Sequence, residues 1–133
     1  MSQSDAQRER PRIFVVEDER AIAELLRFYL EEAGHGVRLC GDRAELWQAL
    51  EKGDVDLITL DLVLPDADGV ELLEELRKHE KTRAVPIVVI SVRESERSRV
   101  LAMGASAFIG KPLDEVTLKK EISALLDPRK DLA

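Results

Sequence analysis

With 133 residues, 44% of them hydrophobic and 35% charged, the chain has the size and balance of one globular domain and not those of a disordered chain. No apolar run approaches the ~20 residues of a bilayer span, and positions 1–12 lack the apolar core of a secretory signal, so a cytoplasmic protein that avoids membranes is expected. A formal net charge of −7 repels phosphate backbones and argues against nucleic acid binding by this chain, and the single Cys40 can form no internal disulfide.

The pattern alternates strand and helix five times. Residues 13–16 form a short apolar run rich in β-branched side chains. Apolar residues at Ile22, Leu25, Leu26, Tyr29, Leu30 and Ala33 then make one helical stripe, which Gly34 closes. A second strand is expected over 37–40, at a sheet edge because it carries Arg38. A short helix over 44–50 turns Leu46, Trp47 and Leu50 inward and stops at Gly53. The third strand, 57–60, is apolar except for Thr59, and Leu72, Leu73 and Leu76 give the next helix its buried face.

Pro86 opens a fourth strand over 87–90. A polar stretch follows over 91–99, then a short helix through Met103 closed by Gly104. The fifth strand spans 107–109. The last helix starts near Asp114, an N-cap candidate, and buries Leu118, Ile122, Leu125 and Leu126 before Pro128 ends the pattern. Apolar strands separated by amphipathic helices predict a parallel sheet covered on both sides. Right-handed crossovers favour an open, doubly wound five-stranded α/β fold, and a flavodoxin-like sheet with strand order 2-1-3-4-5 is expected. The expected division is a polar tail over 1–11, one domain over 12–127 and a short charged tail over 128–133.

In such a sheet, ligands bind beyond the carboxyl ends of the strands, where the strand order reverses. Glu17, Asp18 and Glu19 follow the first strand, Asp61 the third, Ser91 the fourth, and Lys111 with Pro112 the fifth. If the order is 2-1-3-4-5, Asp18 and Asp61 lie on neighbouring strands with Glu17 close by. Crowded carboxylates repel, and a hard divalent cation relieves them; Mg²⁺ suits few carboxylates plus water and phosphate oxygens. Lys111 offers a cation to a phosphoryl oxygen and Ser91 a hydroxyl. A carboxylate nucleophile, a metal and a placed cation are the parts of phosphoryl transfer to an acyl phosphate. Singly, each residue has a plainer use: an Asp after a strand caps a helix or turn, and an acidic cluster complements a helix dipole.

These residues, with Val15-Val16-Glu17-Asp18-Glu19, Leu60-Asp61-Leu62-Val63-Leu64-Pro65, Asp68-Gly69, Ile90-Ser91, Gly104-Ala105 and Phe108-Ile109-Gly110-Lys111-Pro112, resemble the receiver domain of two-component response regulators over about Arg12 to Leu126. The resemblance implies that Asp61 accepts the phosphoryl group. It makes Asp18 and Asp61 direct Mg²⁺ ligands together with the Val63 backbone carbonyl, while Glu17 acts through water. Lys111 takes the place of the active-site lysine, and Ser91 and Phe108 those of the two switch residues. The implied donor is a sensor histidine kinase or histidine phosphotransfer protein. The implied output is a partner-binding surface made by the fourth helix, fifth strand and fifth helix, with a homodimer as one use of it.

Phe108 lacks the hydroxyl of a tyrosine, Val92 stands where the family often carries a smaller residue, and Val63 and Arg93 occupy positions that tune hydrolysis in the family. His35 and His79 are expected at the surface. Arg93, Arg97 and Arg99 suggest a basic patch or a solvated face. Two alternatives compete. A haloacid-dehalogenase-like phosphatase would need an Asp two positions after its nucleophile, where Val63 stands. A receiver-like interaction module would never be phosphorylated.

Overall fold

The computed structural model describes residues 10–127; the tail expected over 128–133, the helix stop at Pro128 and most of the N-terminal tail lie outside these. Strands β1 (Arg12–Val16), β2 (Gly36–Cys40), β3 (Leu57–Leu60), β4 (Ile87–Ser91) and β5 (Ala107–Gly110) alternate with helices α1 (Arg20–Glu32), α2 (Arg43–Lys52), α3 (Gly69–Lys78), α4 (Arg97–Ala102) and α5 (Glu115–Leu126). All strand pairs are parallel and the order is β2-β1-β3-β4-β5, as the sequence pattern predicted. Val16 at the end of β1 is in register with Cys40 on one side and Leu60 on the other.

Two apolar layers hold the sheet. Ile13, Val15, Leu57, Val88 and Ile109 meet α1 and α5 through Leu26, Leu30, Leu118 and Ile122. Phe14, Val16, Ile58, Leu60 and Val89 meet α2, α3 and α4 through Leu46, Leu50, Leu72, Leu73, Leu76 and Val100. Period-two alternation sends successive strand residues to opposite layers, and each such Leu, Ile or Phe contributes about 1.5–3 kcal/mol by burial.

Local signals fix the element ends. Asp42, Asp68 and Asp114 cap α2, α3 and α5 by accepting from the backbone N–H of Glu45, Val70 and Thr117. Gly34 follows α1 with φ +98°, a left-handed conformation that favours glycine.

Three expectations change. His35 is not a surface residue: it is 8% exposed, and its Nδ1 is buried without a hydrogen-bond partner. Leu25, counted in the inward stripe of α1, is 40% exposed. The polar stretch over 91–99 is helical from Glu94 onward, because a 3-10 turn over Glu94–Glu96 runs directly into α4 at Arg97.

Candidate functional site

Three strand ends are tied together by hydrogen bonds that extend the ladders one residue past each strand. The Glu17 N–H donates to the Cys40 carbonyl at 3.0 Å, Asp61 N–H to Val16 at 3.0 Å and Lys111 N–H to Ser91 at 3.1 Å. The residues singled out at β1, β3 and β5 are therefore delivered to one rim by the sheet itself.

At that rim Lys111 Nζ lies 2.8 Å from Glu17 Oε1 and 3.1 Å from Asp61 Oδ2. Glu17 Oε2 also accepts from the Glu19 N–H at 3.1 Å, and Asp61 Oδ1 from the Val63 N–H at 3.2 Å. Glu17 and Asp61 are buried, while Asp18 is exposed beside them. One carboxylate oxygen from each of the three falls within 4.8 Å of the others. Burial, with the nearby Asp61 charge adding to it, raises the Glu17 pKa above the ordinary carboxylate value, against the Lys111 and Glu19 hydrogen bonds that lower it. Burial by itself would lower Lys111, but its hydrogen bonds and charge pairing with Glu17 and Asp61 outweigh that and hold the ammonium above its usual value.

The rim opens into a cleft of about 560 Å³ lined by Glu17, Asp18, Asp61, Val63, Val92 and Lys111, among others. The donor set suits a hard cation: all oxygens, two of the three acids desolvated, converging from two adjacent strands. Asp18, Asp61 and Glu17 are the side chains able to hold Mg²⁺, and Val63 borders the same space.

Gly69 sets the backbone behind Asp61. Its N–H donates to the Leu62 carbonyl at 2.9 Å, and a Cβ there would come within 2.4 Å of Leu62 Cα and 2.6 Å of the Asp61 carbonyl oxygen. The start of α3 thus packs directly on the segment carrying Asp61, which only a residue without a side chain permits.

Ser91 and Phe108 are set back from the cleft. Ser91 is fully buried, and its Oγ accepts from the Arg93 N–H at 3.1 Å. Phe108 is 7% exposed and belongs to the α2–α3–α4 layer. Sequence reasoning missed its partner: the Arg97 guanidinium stands 4.6 Å from the Phe108 ring centroid and donates to the Phe108 carbonyl at 3.3 Å. Arg97 also pairs with Glu94, and Arg99 with Glu96, so those two arginines do not form an uncompensated basic patch with Arg93. Glu94 and Glu96 lie three residues upstream of their partners, a spacing that could have signalled the pairing.

Fold and site define a flavodoxin-like α/β domain with a lysine-bridged acidic pit at its topological switch. The response regulator receiver domain family matches residues 13–123. The chain is 42% identical over 120 residues to the phosphate regulon transcriptional regulatory protein PhoB of Rhizobium meliloti, covering 87% of this chain and 52% of that protein. It is 38% identical over 116 residues to the transcriptional regulatory protein GltR of Pseudomonas aeruginosa, covering 86% and 48%. The chain therefore spans about half the length of these regulators.

Among solved structures, a CheY-like response regulator receiver domain protein from Methanospirillum hungatei superposes with a TM-score of 0.83 at 29% identity, covering 93% of this chain and 99% of that one. The response regulator TrrA of Thermotoga maritima, in complex with Mg²⁺-BeF, gives 0.79 at 30% identity, covering 87% and 99%.

The chain belongs to the response regulator receiver domain family, the signalling module of two-component systems, which is not an enzyme in the usual sense. The dehalogenase-like phosphatase alternative is not favoured. No helix among the described residues is long and apolar enough to cross a membrane.

Proposed function

We propose that Asp61 accepts a phosphoryl group from a phosphohistidine on a sensor histidine kinase or histidine phosphotransfer protein, and that this switches a partner-binding surface. The observation that carries the reading is the position of Asp61, buried at a strand end, in hydrogen-bonding distance of Lys111 and within reach of two further carboxylates. In the transfer an Asp61 carboxylate oxygen forms a bond to phosphorus as the imidazole nitrogen–phosphorus bond breaks, and the imidazole leaves.

Lys111 neutralises charge on the transferring oxygens and, before transfer, holds Glu17 and Asp61 together. Bound Mg²⁺ would supply further charge neutralisation and orientation at the phosphoryl oxygens. Asp18, Asp61 and the Val63 carbonyl would hold it directly, and Glu17 through water. The match to a receiver bound to Mg²⁺-BeF supports this assignment.

Ser91 is the switch hydroxyl. Its Oγ now serves the Arg93 N–H, so its reach toward a phosphoryl oxygen competes with that bond and draws on the loop leading to α4. Phe108 follows into the space released, changing the α4-β5-α5 face that a downstream partner, or a second copy in a homodimer, would read. The unit that becomes phosphorylated is the domain over 12–127, acting in the cytoplasm without nucleic acid contact of its own. The acyl phosphate then hydrolyses in place.

Incubating the chain with acetyl phosphate and Mg²⁺ and recording intact mass tests the reading. The expected result is one added phosphoryl group, removed by EDTA pretreatment and by Asp61→Asn. No uptake by the wild type would favour the interaction module instead, and uptake retained by Asp61→Asn would move the acceptor elsewhere.

A further inference from the structure

A second cavity lies at the opposite end of the sheet. It has a volume of about 450 Å³, and its charged lining is Arg10, Arg12, Arg38 and Lys52 with one acid, Glu31. Four cations against one carboxylate give this spot a local charge of the opposite sign to the chain's −7.

Ion pairing does not account for these cations. Arg27, Arg43, Arg97 and Arg99 each meet a carboxylate. The Arg12, Arg38 and Lys52 side chains meet none among the described residues.

The cavity is also built from fixed parts. Arg12 is anchored by its own N–H, which donates to Asp56 Oδ2 at 2.7 Å, and Arg10 donates to the His35 carbonyl at 3.3 Å. Gly53 has an extended φ of −175°, which any residue can adopt, so its backbone does not call for glycine. What it supplies is room: a Cβ at Gly53 would come within 3.2 Å of Arg12 Nη1. Phe14 and Ala49 close the floor from within the core, and Val37 is the half-buried apolar residue of the wall.

The acidic rim does not cancel this charge. Arg12 begins β1 and Glu17 follows its end; five residues at ~3.3 Å each put roughly 16 Å between them, more than the ~8 Å screening length at physiological salt.

We propose that this cavity is a binding site for a small organic phosphate of the nucleoside diphosphate class. The guanidinium groups of Arg12 and Arg38 and the Lys52 ammonium receive the phosphates, and half-buried Val37 with the aliphatic stems of Arg38 and Lys52 receives the less polar moiety. Two linked phosphates carry about three negative charges at neutral pH, matching four cations less one carboxylate. The volume lies within the ~300–1,000 Å³ of small-molecule sites. The inference is independent of the phosphoryl-acceptor reading.

The test is an amide chemical-shift titration of the full chain with ADP in EDTA, which removes any metal that could draw nucleotide to the acidic rim. Adenosine and inorganic pyrophosphate serve as partial probes. Saturable shifts are expected at Gly36, Val37, Arg38 and Gly53, with none for adenosine and weaker binding for pyrophosphate. Arg12→Gln combined with Arg38→Gln should weaken ADP at least tenfold while leaving the rest of the spectrum folded. Gly53→Ala, which displaces the Arg12 guanidinium without removing charge, should weaken it less. Absence of saturation, equal binding of pyrophosphate, shifts centred on Asp18 and Asp61, or binding that survives the double substitution would overturn the proposal.

Discussion

Lys111 Nζ sits 2.8 Å from Glu17 Oε1, joining residues 94 positions apart, and it does so while also reaching Asp61. The ammonium stands where two buried carboxylates would otherwise face each other. Replacing it by Met is expected to cost about 1–3 kcal/mol in metal-free buffer, the scale for leaving a partly buried charge without its partner. Mg²⁺ should then stabilise Lys111→Met more than it stabilises the wild type, since the cation takes over the neutralising role. Urea unfolding with and without Mg²⁺ measures both effects, and an unchanged midpoint for the variant without metal would show that the bridge contributes nothing.

Gly69→Ala probes the backbone behind Asp61, the proposed acceptor. The new Cβ meets Leu62 Cα and the Asp61 carbonyl, neither of which can swing aside as a side-chain tip could. A loss of about 1–3 kcal/mol is expected from overpacking, together with slower phosphoryl uptake from acetyl phosphate. Wild-type stability in a denaturant melt would mean that α3 shifts away without cost.

His35 makes stability depend on pH. Burial, followed by the positive charge of Arg10, lowers its pKa from the ordinary value. The unfolded chain therefore binds the proton more readily, and stability rises with pH across this range. It is fully present above an unfolded value of about 6.5 and declines as pH falls below that toward the lower folded value. His35→Leu should flatten the decline between pH 7 and pH 5 in thermal melts. An identical slope in both proteins would assign it to other groups.

Cys40 should be chemically silent. It is 1% exposed, and burial pushes its thiol up to about 12. Thiolate is the reactive form, so an aromatic disulfide reagent at pH 8 should label the folded chain at least a hundredfold more slowly than the chain in urea. Rapid labelling without denaturant would show that β2 opens readily at the sheet edge.

The site was legible where the sheet alone decides position. Asp61 and Lys111 follow apolar strands, and a parallel ladder has to place the next residue at its carboxyl end; the hydrogen bonds of Glu17, Asp61 and Lys111 continue that ladder. Helix caps were legible for a local reason, since Asp114 needs only Thr117 three residues on. What depends on packing between distant segments was not. Nothing near His35 in the chain signals burial, because the Arg10 that reaches its carbonyl lies 25 positions away. Likewise Arg97 reads as one more surface cation until the fold brings the Phe108 ring beneath it. The cations of Arg12, Arg38 and Lys52, which meet no carboxylate among the described residues, come from three separate elements, and no spacing rule links them.

The ladder extensions beyond β1 and β3 divide the molecule by how fast its amides should trade protons with solvent. Asp61 N–H is locked to Val16 on the interior strand β1, and Glu17 N–H to buried Cys40 at the end of edge strand β2, so Asp61 should exchange only when the whole domain opens and Glu17 when β2 detaches. Arg93 N–H rests instead on a single serine hydroxyl at the head of an exposed turn. The Asp61 end of the rim is thus held by the slowest-breathing backbone, while the segment after Ser91 can rearrange at less cost.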